Sequence, residues 1–202
     1  MNNKSIHFFD TQFQRQSREG DFVLNPFERL ALPYLHGRVL DLGCGLGNLT
    51  IEAARRGCSV IALDASPAGI ERIQTAAKSG RLPIAAEVVD LTNYSIREDF
   101  DAIVCIGLLM FMKQPDAIRV LRDIQSHVRV GGCTIVNVLI EGTTFMDMFD
   151  PDCYYLFGRA ELQDAFIGWN IVESKIQDVD APGNTIKRFS TVIARRPTEN
   201  VN

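Results

Sequence analysis

Histidine is scarce in this chain, three in 202 residues. His36 and His127 each precede a strand-like run, which puts them at the far end of a sheet from the edge where open α/β folds bind ligands. Only His7, on an N-terminal arm, could reach a site, so no catalytic residue is nominated. The five cysteines are odd in number and form no C-x-x-C pair, so reduced, buried thiols in a cytoplasmic protein are expected, with no metal site. A strong charge of one sign is also lacking. The formal net charge is −4 and the basic residues are scattered, which excludes a nucleic-acid groove. No apolar run is long enough to cross a bilayer, and the start Met1-Asn2-Asn3-Lys4-Ser5 leads into polar residues rather than an apolar signal region. A cytoplasmic protein without a membrane partner is expected. No repeat, low-complexity tract or linker interrupts the sequence, and its length suits one domain with a substantial core.

What is present begins with Val39-Leu40-Asp41-Leu42-Gly43-Cys44-Gly45-Leu46-Gly47-Asn48. An apolar strand ends near an acid, and alternate glycines follow where a helix is to begin. Glycines let the backbone turn sharply and approach a ligand closely. Asn48 stands where the dinucleotide fingerprint wants its third glycine. Asp41 at the mouth of such a loop repels a pyrophosphate and suits a cationic amine or sulfonium. S-adenosylmethionine is therefore favoured over NAD. Cys44 lies at a helix N-terminus, where a thiol pKa can fall, but reads as a small residue touching the ligand rather than a nucleophile.

Two further strands also end in acids. Cys58 to Leu63 leads into Asp64, placed to bond ribose hydroxyls, and Ile84 to Val89 leads into Asp90-Leu91, placed for an adenine edge and face. Acids at these positions also cap helices, so the argument rests on the three together with the glycine loop.

On these residues the chain resembles the class I S-adenosylmethionine-dependent methyltransferases from about Leu24 to Arg196. Phe100 to Cys105 is similar to the family's fourth strand, and Val130-Gly131-Gly132 to Val136 to its turn and fifth strand. The resemblance implies an α/β, Rossmann-like doubly wound sheet of seven strands, mostly parallel, closing on a C-terminal antiparallel hairpin. It implies S-adenosyl-L-methionine as cofactor, bound by Asp41, Gly43, Cys44, Gly45, Asn48, Asp64, Ala65, Asp90, Leu91 and Ile106. Within the family the chain is similar to the tellurite-resistance group. That likeness rests on Tyr154 to Phe157, Glu161-Leu162, Gly168-Trp169, Gly183-Asn184, Ile186 to Phe189 and Ala194-Arg195. That group carries a His-Arg pair where this chain has Gln177 and Asp178, which counts against tellurite, while Arg188 matches a further arginine of the group.

Strands are expected near residues 38–42, 59–64, 84–89, 100–106 and 132–140, and helices near 47–56, 67–79 and 115–129. Ser66 is an N-cap with Pro67 in the first turn, and Gly80 ends that helix. Residues 159–166 read as a short helix, and 169–178 and 185–195 as a hairpin turning at Asp180 to Asn184. Residues 1–30 form an arm and helix covering the site, 31–196 the methyltransferase domain, and 197–202 a tail. The arm carries Phe8, Phe9, Phe13 and Phe22. With the segment Glu141 to Phe157 it is expected to close an apolar pocket over a small-molecule acceptor. The polar candidates there are Asp147, Asp152, Tyr154, Tyr155 and Arg188. A soft acceptor, a thiol or chalcogen compound, would need no base. The alternatives are an NAD(P)-linked oxidoreductase and a non-catalytic S-adenosylmethionine-binding regulatory module, and the expected state is a monomer or homodimer.

Overall fold

A computed structural model of the chain describes residues 4–20 and 22–198, apart from the side chain of Ser17. Most of the expected tail lies outside the described residues. Seven strands form one sheet: β1 (Arg38–Leu42), β2 (Ser59–Asp64), β3 (Ile84–Val88), β4 (Phe100–Ile106), β5 (Val128–Leu139), β6 (Asn170–Ala181) and β7 (Thr185–Arg195). Their order is β3-β2-β1-β4-β5-β7-β6. β1 to β5 pair in parallel, β7 runs antiparallel to β5, and β6 runs antiparallel to β7. This is the doubly wound sheet with a C-terminal hairpin that was expected.

Strand alternation fills both faces. Leu40, Leu42, Ile103, Cys105, Val136 and Val138 pack on one side, while Val39, Val60, Ala102, Val104, Ile135 and Ile193 pack on the other. Burial of both faces is what near-continuous apolar strands require. The helices are α1 (Lys4–Glu19), α2 (Pro26–Ala31), α3 (Asn48–Arg55), α4 (Pro67–Gly80), α5 (Gln114–His127) and α6 (Glu161–Asp164). α2 starts at a capping box, in which Asn25 accepts from the Phe27 and Glu28 amides and Glu28 accepts from the Asn25 amide. α4 starts as expected at Ser66 and Pro67.

Three boundaries differ from expectation. Residues 4–19 of the arm form α1, a helix that the expected elements did not include. Its aromatics recur at helical spacing and give the helix an apolar face. The helix expected over 159–166 shrinks to the four residues of α6. β5 begins at Val128, so Gly131-Gly132 is part of the strand rather than a turn. Hydrogen bonds from Gly131 N to Arg196 O (3.0 Å) and from Arg196 N to Gly132 O (2.9 Å) hold that stretch in the sheet.

Candidate functional site

Sheet order reverses between β1 and β4, the place where open α/β sheets leave a crevice at the strand C-terminal ends. A cavity of about 520 Å³ opens there, and all ten residues expected to bind the cofactor lie on its wall. The sheet brings them together because β1, β2 and β3 end side by side in register, with Leu42 opposite Leu63 and Asp64 opposite Val88.

Asp41, on β1, is 5% exposed, and Thr50 Oγ1 donates to its Oδ2 over 2.6 Å. Burial pushes its carboxyl up to about 7, with Glu28 and Asp64 adding to the rise and Thr50 opposing it. Asp64 closes the loop after β1. Gly45 N donates to its Oδ2 and Ser66 N to its Oδ1, each over 2.8 Å. The carboxylate keeps acceptor capacity for a ligand hydroxyl. Burial raises the Asp64 carboxyl too, against those amide donors. Asp90 is exposed and accepts from Thr92 N and Asn93 Nδ2, both over 3.0 Å, while the adjacent Leu91 is buried. Cys44 sits in the loop between β1 and α3. Burial, and then the charges of Asp41 and Asp64, push its thiol well above the ordinary range, so the helix terminus does not create a nucleophile.

Gly45 adopts φ +53°, and a Cβ there would come within 3.0 Å of the Phe13 ring. The roof of the cavity is therefore α1. Phe9 and Phe13 lie on the wall, and Phe8 stacks edge-on behind Phe9 at 5.3 Å. Ser66 Oγ donates to Asp10 Oδ1 over 2.5 Å and ties α1 to the start of α4. Phe22 takes no part in this wall and stacks under the Arg72 guanidinium at 3.8 Å.

The polar candidates for the acceptor end do not converge. Asp147, Asp152, Tyr154, Tyr155, Arg188 and His7 are all off the cavity wall. The Tyr155 hydroxyl donates to Glu161 (2.6 Å), and burial together with that carboxylate pushes it up to about 12. Arg188 makes a two-point pair with Asp178 across the hairpin, 2.7 Å at each contact. Pairing of Asp178 with Arg188 and of Val179 with Lys187 explains this, because alternate residues face opposite sides of the sheet. From Glu141 to Phe157 the wall takes only Met148, and Phe145 and Phe149 pack behind it. His36 is exposed, and His127 pairs with Asp123 at the end of α5, away from the cavity as expected.

Among the wall residues that the sequence did not assign to the site are Glu28, Asn137 and Lys187. Glu28 was signalled by the Asn25-to-Glu28 capping spacing, and Asn137 by an amide inside the apolar run Thr134 to Ile140. Lys187 carried no such signal.

A methyltransferase-domain family model matches residues 39–132. Over 200 residues the chain is 26% identical to the probable S-adenosyl-L-methionine-dependent methyltransferase TehB of Haemophilus influenzae, covering 96% of this chain and 67% of TehB. The crystal structure of that TehB superposes with a TM-score of 0.76 at 20% identity, over 90% of this chain and 65% of that one. The chain carries a methyltransferase domain over residues 39–132 and is similar over nearly its whole length to S-adenosylmethionine-dependent methyltransferases. It falls near the tellurite-resistance type, with S-adenosyl-L-methionine as cofactor. Hemagglutinin 1 of Eikenella corrodens is 27% identical over 170 residues, 79% of this chain and 55% of that protein. The fold is also that of the Burkholderia thailandensis 1,6-didemethyltoxoflavin-N1-methyltransferase, crystallised with S-adenosylhomocysteine (TM-score 0.66, 20% identity, 93% and 87% of the two chains). The chain spans between about half and two thirds of the hemagglutinin and TehB lengths.

A donor-rich cofactor fits this methyltransferase cavity. Asn48 Oδ1 and Asn137 Oδ1 are buried with no hydrogen-bond partner among the described residues, and both side chains are on the wall. Orphaned acceptors of this kind call for donors from a ligand. The acids nearby attract an ammonium and a sulfonium and repel a pyrophosphate. Among the described residues no helix is long and apolar enough to cross a membrane.

Proposed function

We propose that the protein transfers a methyl group from S-adenosylmethionine to a small, soft nucleophile bound beneath α1. The observation that carries this reading is one cavity with two chemically different kinds of wall. Asp41, Asp64, Asp90 and the unpaired Asn48 oxygen line it at or just beyond the ends of β1 to β3, while Phe27, Phe111, Met110, Met148 and Phe189 supply apolar wall. Asp64 would hold the ribose hydroxyls, Asp90 and Leu91 the adenine, and Ala65 and Ile106 would pack against the nucleoside. Asp41, Asn48 and Asn137 would face the amino-acid part, with the glycine loop running close along it. The cofactor supplies a methyl group on an electron-poor sulfur, and the protein's task is to align the acceptor at roughly 3–3.5 Å and keep water out. No histidine lines the described cavity, so an acceptor that is nucleophilic without a base suits it best.

The test is a metabolite pool incubated with isotope-labelled S-adenosylmethionine and the protein, read by mass spectrometry. Labelled product together with S-adenosylhomocysteine supports the reading. Binding of S-adenosylhomocysteine without transfer to any metabolite would leave a cofactor-binding module, and binding of NAD instead would leave an oxidoreductase.

A further inference from the structure

We propose that Lys187 binds the methyl acceptor directly, and that the acceptor is a small apolar thiol held as its thiolate. This rests on the methyltransferase reading above. Lys187 is the one lysine or arginine on the wall of the described cavity. It lies on the same side of β7 as Phe189, which also lines the cavity, whereas Arg188 between them turns away to Asp178. Its Nζ sits 4.6 Å over the Phe145 ring, and among the described residues no carboxylate comes within ion-pair distance of it. A half-buried ammonium with only an aromatic face for company attracts an anion. Burial also lowers its pKa, as expected of a charge short of both water and a counter-ion.

The surroundings narrow the anion. The titratable groups sharing the cavity are Glu28 on α2, Asp41 on β1, Cys44 in the glycine loop, and Asp64 and Asp90 beyond β2 and β3. On β6, Val179 is opposite Lys187, and Asp178 and Asp180 flank it on the alternate face; Asp147, near Phe145, is exposed. Phe27 and Phe189 stack at 4.6 Å, and Met110 and Met148 add thioethers to the wall. A carboxylate would lose its hydration there without the two-point fork that arginine offers. An amine arrives as an ammonium, which Lys187 repels, and once neutral it gains no attraction from a cation beside it. A thiol gains on both counts: its anion is soft and weakly hydrated, and a cation beside it lowers its pKa without a general base.

The thiol first loses its proton to water under the influence of Lys187. The thiolate sulfur then forms a bond to the methyl carbon, the donor S–CH₃ bond breaks, and its electron pair stays on the donor sulfur. The products are a methyl thioether and S-adenosylhomocysteine.

The probe is benzyl mercaptan, compared with benzyl alcohol and benzylamine of the same shape, on the wild type, Lys187→Met and Lys187→Arg. Calorimetry with S-adenosylhomocysteine checks fold and cofactor binding, which Lys187→Met should leave within about twofold. In the complex with S-adenosylhomocysteine, where no turnover occurs, ultraviolet absorbance of the thiolate gives the pKa of the bound thiol. We expect it one to two units lower in wild type than in Lys187→Met, with Lys187→Arg close to wild type. With S-adenosylmethionine, Lys187→Met should methylate the thiol about 10- to 100-fold more slowly near pH 7 and recover as the pH rises above the free-thiol value of about 8.5. An unshifted thiol pKa in Lys187→Met, or wild-type transfer to the amine or alcohol in preference to the thiol, overturns the proposal while leaving a methyltransferase. Failure of the wild type to bind S-adenosylhomocysteine would instead overturn the reading beneath it.

Discussion

The Thr50 hydroxyl donates a 2.6 Å hydrogen bond to Asp41 at a depth where the two residues are 1% and 5% exposed. Burial outweighs that bond and holds the carboxyl near 7. A cationic ligand reverses the balance, because an opposite charge nearby favours the carboxylate. Below about pH 7 the cofactor must displace a proton to bind, whereas well above it the charge is already present. Affinity for S-adenosylmethionine should therefore fall by up to about tenfold per pH unit below roughly pH 7 and level off above it. Thr50→Val removes a bond to the charged form worth about 1.5 kcal/mol and should move the midpoint up by about one unit. Calorimetry across this range measures both, and a flat profile in the wild type would refute the role of Asp41.

The same carboxyl predicts an inverse effect on stability. Its folded pKa of about 7 exceeds the unfolded value of about 3.9, so the folded state binds the extra proton. The stability contributed by the protonated form is fully present below about pH 3.9 and lost as pH rises through about 7. Asp41→Asn mimics the protonated form without titrating. Its thermal midpoint should match wild type near pH 4 and exceed it near pH 8, in the absence of ligand. A variant less stable than wild type at pH 8 would mean that Asp41 is not held against its own desolvation.

Much of this site was legible because strand ends carry their chemistry in one dimension. An acid after each of three apolar runs needs only parallel pairing to become a cluster, and β1 to β3 provide it. The part of the wall around Lys187 was not legible, for a reason of parity. Asp178 and Arg188 neutralise each other on one side of the hairpin, and Lys187 is turned to the other by a single step in register. No local pattern reveals which of two adjacent cations faces a cavity built from β5, α1 and α2. The helix α1 was hidden for a related reason. Its aromatics carry helical spacing, but their partners are Phe111 (5.0 Å from Phe9) and the glycine loop, far away in sequence.

Asp64 has a structural task and, in the proposed reading, a binding one. It accepts from Gly45 N and Ser66 N, fastening the glycine loop to the start of α4. Asp64→Ala should weaken S-adenosylhomocysteine binding by about 1.5–3 kcal/mol, the scale of hydrogen bonds to a charged group. It should also lower the thermal midpoint, because two amides lose their acceptor. Calorimetry and thermal melts measure the two effects separately. Affinity within twofold of wild type would mean that another group holds the ribose.

Closure over the site should be a property of α1. Its ties include Asp10 to Ser66 at 2.5 Å, Asp150 N to Ser5 Oγ at 3.0 Å, Lys4 N to Asp150 Oδ2 at 3.2 Å, and Phe9 edge-on to Phe111. Covering elements are commonly ordered by the ligand they cover. Hydrogen exchange in α1 should therefore slow when S-adenosylhomocysteine is added. The segment from Glu141 to Phe157 should slow less, because Thr143 already fastens it to β7: Arg188 N donates to Thr143 Oγ1 over 3.1 Å. Exchange at Gly131, bonded to Arg196 at the opposite end of the sheet, should not respond. Asp10→Ala removes the tie to Ser66 and should speed exchange in α1 without ligand. It should also weaken S-adenosylhomocysteine binding severalfold, chiefly through a faster off-rate. Exchange in α1 that ignores both the ligand and the Asp10 substitution would make the helix a fixed wall, and entry to the cavity would have to lie between α2 and the β6–β7 hairpin.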